Sequence, residues 1–153
     1  MVICIAASAL QLIGCSAPVQ VGEPLTNNLA GNDPDAQMEF WHTLYDRKLT
    51  SNDEAFHAIL LFLDGKDDGP DYAGRVSTLK SRGLLYDSFD GAAHDAVSRG
   101  DLAVIIVNAL NVRGGLILTI FPHSPRYATR ELQYIGIYPP STTNQTFSGG
   151  QFV

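Results

Sequence analysis

Three segments of this chain share one two-part pattern, and a repeated unit limits the possible folds more than any local propensity does. Each begins with an amphipathic stretch ending Leu-x-x-x-(Gly/Lys)-(Leu/Ile), passes through a connector, and resumes as Ser-x-x-(Glu/Asp/Gln) leading into apolar residues. The first copy reads Leu44-Tyr45-Asp46-Arg47-Lys48-Leu49, then Ser51-Asn52-Asp53-Glu54-Ala55-Phe56. The second reads Leu79-Lys80-Ser81-Arg82-Gly83-Leu84, then Ser98-Arg99-Gly100-Asp101-Leu102-Ala103. The third reads Leu132-Gln133-Tyr134-Ile135-Gly136-Ile137, then Ser148-Gly149-Gly150-Gln151-Phe152-Val153.

Both halves of the pattern carry a mechanical meaning. In Ser-x-x-(Glu/Gln) the serine oxygen accepts from a free N–H of the first helical turn, and the third residue on bonds back to the serine N–H. Helices are therefore expected to start at Ser51 and Ser98. Gly83 and Gly136 suit the left-handed position just past a helix end, where the following Leu or Ile folds back on the last turn; Lys48 is a poorer cap. Helix ends are expected near Lys48, Gly83 and Gly136, and the dense apolar content of 51–63 and 98–110 suits a shared core. The reading is an all-α fold of three degenerate helix-loop-helix repeats, at about 38–65, 72–110 and 127–153. A single irregular helical domain with ordinary caps remains open beside it.

Two stretches depart from the pattern. In 111–126, Gly114-Gly115 interrupts, Leu116-Ile117-Leu118-Thr119-Ile120-Phe121 is apolar, and Pro122 and Pro125 follow. That run could be a strand, a short buried helix or an extended cover for the core. The third capping box has only Phe152 and Val153 behind it, whereas the other copies run on for about ten residues, and isolated helices that short do not form. Residues 141–153 are therefore expected to be poorly ordered, leaving apolar surface exposed or covered by 116–121.

The sequence has 153 residues, 45% of them apolar, and a net charge of −6. Residues 37–153 fit one small domain, and a charge of this sign offers no basic footprint for nucleic acid. Residues 1–15 contain no charge, and the run is shorter than the roughly 20 apolar residues a spanning helix needs. It ends Leu12-Ile13-Gly14-Cys15, which resembles the lipobox of bacterial lipoproteins. The resemblance implies a signal peptide over 1–14, a lipidated Cys15, and localisation in the bacterial cell envelope, membrane-anchored and facing the periplasm or the exterior. The segment has no basic start, so an upstream beginning, or a buried first helix of the fold, stays open. Residues 15–36 are rich in Ser, Pro, Asn, Gly and Asp and read as a flexible linker, with an ordered arm lying on the domain as the alternative. Cys4 and Cys15 are the two cysteines, so a mature domain without a free thiol has no disulfide, thiolate or cysteine-metal chemistry.

The middle copy resembles an S-layer homology repeat. Tyr72-Ala73 stands near that family's aromatic-Ala start, Leu79 and Gly83-Leu84 match its Leu-x-x-x-Gly-Ile, and Val97-Ser98-Arg99-Gly100-Asp101-Leu102-Ala103 matches its Ile-Thr-Arg-Ala-Glu-Phe-Ala. The resemblance implies a compact helical pseudo-trimer that binds cell-wall glycopolymers. It covers 72–110 well and 38–153 loosely. Arg99 is the sole match to the family's motif arginine, since Asn52 and Gly149 stand there in the other copies. Arg99, Asp101, Arg75 and Tyr72 are the candidate ligand-binding residues, with Arg as a forked donor to carboxylate, phosphate or an acidic sugar.

Other chemistry is sparse. Asp64-Gly65-Lys66-Asp67-Asp68-Gly69 has the glycine of a calcium loop, but Lys66 replaces a ligand and Arg75 stands where the closing Glu belongs, so it reads as a solvated turn. His42, His57, His94 and His123 show no i, i+4 pairing for zinc, and no nucleophile elbow or phosphate loop occurs. Phe40-Trp41 reads as core rather than a sugar platform. No metal, cofactor or catalysis is expected. The expected function is a lipid-anchored envelope binding module that recognises a cell-wall glycan; the alternative is a scaffold lipoprotein that binds another envelope protein.

Overall fold

A computed structural model describes residues 17–22 and 31–153, so the signal reading over 1–14 and the lipidation reading at Cys15 lie outside the described residues. Among the described residues the order is α1 (Pro34–Asp46), α2 (Asn52–Asp64), α3 (Tyr72–Ser81), α4 (Arg99–Ala109), α5 (Leu116–Ile120), α6 (Pro125–Tyr134) and α7 (Gly149–Phe152). The described part is mainly helical, and its β pairing consists of isolated antiparallel bridges.

The expected caps form. Ser51 closes a full capping box with Glu54: the Glu54 N–H donates to Ser51 Oγ at 3.1 Å, and the Ser51 N–H donates to the Glu54 carboxylate at 2.9 Å. Ser98 Oγ accepts from the Asp101 N–H at 3.0 Å, and the Ser148 N–H donates to Gln151 Oε1 at 3.3 Å. At the other ends Gly83 and Gly136 take φ of +66° and +81°, the left-handed conformation that glycine adopts without a Cβ clash. Behind Gly83 the N–H groups of Leu84 and Leu85 return to Leu79 O, and behind Gly136 those of Ile137 and Tyr138 return to Leu132 O.

Each helix start leaves N–H groups unused, and here the loop entering the next capped helix takes them up. The Asn52 and Asp53 N–H groups donate to Asp95 O and Ala93 O, and those of Arg99 and Gly100 to Gln145 O and Thr143 O. The Gly149 N–H returns to Arg47 O, just ahead of α2, so the circuit closes. Packing follows the same cyclic order, with α3 against α2, α6 against α4 and α1 against α7. α4 is apolar nearly all round, with Leu102, Ala103, Val104, Ile105 and Val107 buried. It shares the main core with Phe56, Leu60, Leu79, Leu85, Val97 and Leu132, while Phe40, Leu44, Ala58 and Leu61 form a second cluster under α1.

One expectation needs correction, and two stretches left open take one of their readings. Residues 141–153 are not loose: Phe147 is buried, the Thr50 N–H donates to its carbonyl at 2.9 Å, and α7 forms against α1. The short-helix argument fails because α7 is not isolated; tertiary bonds supply what four residues cannot. The 116–121 run contributes a five-residue helix that packs on α6, with Leu118 buried but Ile120 and Phe121 exposed. Part of the segment read as linker is also tied down. Gln20 bridges Asp95, the Val21 N–H donates to His94 O, and the Ala96 N–H donates to Val19 O, while Asp33 caps α1 through the Ala36 N–H.

Candidate functional site

Arg99 is the first residue of α4, held by the Ser98 cap and by its own N–H, which donates to Gln145 O at 2.7 Å. Its guanidinium lies over the Phe147 ring, 4.6 Å from the centroid, and Nη2 makes a long 3.4 Å contact to Gln151 Oε1. The Nε–H is buried without a hydrogen-bond partner. The side chain forms one wall of a cleft of about 440 Å³, shared with Val19, Pro139, Pro140, Asn144, Gln145, Thr146 and Gln151. Arg99 is the single charged residue in that lining. The amide and hydroxyl groups around it are neutral, and the start of α4 adds the positive end of a helix dipole. Such a cleft attracts one negative charge on an otherwise polar, uncharged ligand. Tyr138, edge-on to Phe147 at 5.9 Å, has its hydroxyl buried and unpartnered; burial pushes its phenol up, with Arg99 pulling the other way.

The other three candidates do not join Arg99. Asp101 is two residues further along α4, and residues two apart do not share a helix face. Its carboxylate accepts from Ser98 Oγ at 2.6 Å and from the Tyr86 hydroxyl at 2.7 Å, so it serves the cap. Burial first, and then this acidic neighbour, push the Tyr86 phenol up. Tyr72 opens α3, stacks on Phe56 with centroids 5.8 Å apart, and donates to Gly91 O at 2.6 Å. Burial and the negative charges of Asp53, Asp95 and Asp101 raise its phenol too. Its ring forms a wall of a shallow depression of about 600 Å³, with Val76, Lys80 and Phe89. There Lys80 is engaged with the Asp87 and Phe89 carbonyls.

Arg75 is consumed inside the fold. Its Nε donates to Asp67 Oδ2 at 2.5 Å and its Nη1 to Asp53 Oδ1 at 2.7 Å. The same Asp67 oxygen meets His57 Nδ1 at 2.6 Å, and Asp67 Oδ1 accepts from the Gly69 N–H. Burial opposes the charge on Asp67, but the hydrogen bonds from His57, Arg75 and Gly69 outweigh it and hold the carboxyl below the usual range. Asn32 binds the Asp67 backbone at both its N–H and its carbonyl, and the Phe40 ring closes edge-on over His57 at 4.6 Å. The stretch 64–69 is thus not simply a solvated turn. Lys66 and Asp68 pair in solvent, while Asp67 turns inward.

This network was missed from the sequence, yet a signal existed. His57 interrupts the apolar run of α2, and a polar group in a buried face requires a partner. His42, His94 and His123 are exposed. Among the described residues no group of three or more His, Cys, Asp or Glu side chains could hold a metal ion. No helix among them is long and apolar enough to cross a membrane. No family model, curated protein sequence or solved structure matches this chain.

Proposed function

We propose that this chain is a lipid-anchored, non-catalytic binding module of the bacterial cell envelope, built from three degenerate repeats of the S-layer homology kind. Its recognition element is the Arg99 cleft, and its ligand is an acidic cell-wall glycopolymer. The observation that carries this reading is the lone guanidinium, with an unpartnered buried Nε–H, in a lining of amides, a hydroxyl and proline rings. Carboxylate or phosphate on a sugar matches the cation, and sugar hydroxyls match the neutral groups. The cyclic succession of capping boxes and helix pairs supports the repeat reading, and Leu12-Ile13-Gly14-Cys15 supports the anchor.

Retention on purified, protein-free cell wall tests the ligand. Arg99→Ala should weaken binding about 10- to 100-fold, as expected for losing a hydrogen-bonded charge, with little change in melting temperature. Arg99→Lys should recover only part, because the forked geometry is gone. Equal retention of all three proteins would remove the site.

The scaffold reading has its own support, since the Tyr72, Arg75 and Asp101 side chains are satisfied within the fold and do not join Arg99. It predicts no retention of wild type on glycopolymer. The anchor is tested separately by mass spectrometry of the mature protein from cells. A diacylated Cys15 with a second or third chain is expected, because one chain holds only marginally. An unmodified Cys15 would exclude the anchor.

A further inference from the structure

Charge is divided unevenly along this chain. Of its 16 Asp and Glu residues only Glu131 follows Asp101, whereas Arg113, Arg126 and Arg130 all lie beyond that point. The three arginines are exposed and form no ion pair among the described residues. α6 brings two of them together: Arg126 and Arg130 are four apart on its outer face, in line with Tyr134, which is 87% exposed, while Ala128, Thr129 and Leu132 are buried on the other. Arg113 arrives from the opposite side, because the turn that follows it passes beside α6, where the Gly115 N–H makes a long 3.4 Å contact to Glu131 Oε2. At the corner joining α5 to α6 two large apolar side chains stand outward, Ile120 at 60% and Phe121 at 54% exposure. Phe121 stacks on Tyr127 of α6, with ring centroids 6.1 Å apart. Two exposed apolar side chains need no explanation by themselves. Flanked by three unpaired guanidiniums in a chain of net charge −6, they do.

We propose that the α5–α6 corner is a docking surface for an anionic lipid bilayer. Ile120 and Phe121 enter the boundary between headgroups and acyl chains, and Arg113, Arg126 and Arg130 stay level with the lipid phosphates. Tyr134 suits the same level, with an apolar ring and a polar tip. Charge complementarity selects the sign of the partner, and Ile120 selects its kind. Nucleic acid and acidic polysaccharide match the guanidiniums, but neither provides an apolar phase for a branched hydrocarbon. A contact of this size is weak, so it serves as a second signal that sets how the domain lies on a membrane. The inference goes beyond the glycopolymer reading and needs neither a ligand at Arg99 nor an acylated Cys15.

Co-sedimentation of the full chain carrying Cys15→Ser tests it, with vesicles of phosphatidylcholine alone and of equal parts phosphatidylcholine and phosphatidylglycerol. The neutral vesicles measure what the uncharged run at 1–15 contributes. Partitioning should be about 10-fold or more stronger on the anionic vesicles and should fall with added salt. Arg126→Glu together with Arg130→Glu should lower it about 10- to 30-fold. Ile120→Ser should lower it several-fold while leaving the Phe121–Tyr127 stack in place. These positions are exposed, so melting temperature and retention on protein-free cell wall should not change. Equal partitioning on the two vesicle types, or an anionic preference that survives the double reversal, would overturn the proposal. So would loss of cell-wall retention in the double reversal with vesicle binding intact, because the arginines would then serve the glycopolymer.

Discussion

Asp67 shows how much one side chain ties together. Its Oδ2 joins α2 through His57 and α3 through Arg75, its Oδ1 shapes the turn at Gly69, and its backbone holds Asn32 ahead of α1. Asp67→Asn leaves a buried guanidinium facing a neutral amide, so it should cost about 3–5 kcal/mol in urea unfolding. The sign of the pH effect follows from the lowered carboxyl. Because folding depresses it, Asp67 contributes stability that is fully present above its unfolded value, about 3.9, and is lost as pH falls through the lower folded value. The acid fall in stability should therefore be shallower in Asp67→Asn than in wild type below about pH 4. Identical slopes would show that Asp67 is not the linked group. None of this is local in sequence: Asn32 precedes α1, Asp53 and His57 lie on α2, Asp67 in the turn after it and Arg75 on α3, and residue type alone does not pair them.

At the scale of elements, what could be read was what is local. A capping box and a left-handed glycine each act within one turn, so the starts at Ser51 and Ser98 and the ends at Gly83 and Gly136 were legible. α5 and α7 were not. A short apolar run does not distinguish strand from helix, and α7 depends on a close approach that leaves no propensity signal. A Cβ at Gly149 would overlap the carbonyl oxygen of Leu44. Ser98→Ala should cost about 1 kcal/mol, the usual loss of a cap. Gly149→Ala should cost about 1–3 kcal/mol by forcing α7 off α1, with faster amide exchange at Gln151 through Val153. Equal stability of Gly149→Ala and wild type would contradict the close packing.

Over the whole molecule, the sequence pattern was read as helix pairs within each unit, whereas among the described residues the helices pack across those units, α1 on α7, α3 on α2 and α6 on α4. The candidate site was legible only in part. Arg99 stood out through the resemblance to an S-layer homology repeat, as the sole match to its motif arginine, and its position over Phe147 gives it a cleft. Tyr72, singled out by the same resemblance, and Arg75 are absorbed by the α2–α3 contact. Among the described residues the Arg99 cleft and the groove between α2 and α4 are chemically opposite, one polar with a single cation and the other wholly apolar. The most direct test of the account is backbone NMR of residues 17–153 titrated with purified acidic cell-wall polymer. The account predicts that amide shifts of Arg99, Thr146 and Gln151 move together and saturate, while those of Tyr72, Val76 and Gly91 stay fixed. Shifts centred on 72–91, or no shifts at saturating polymer, would contradict it.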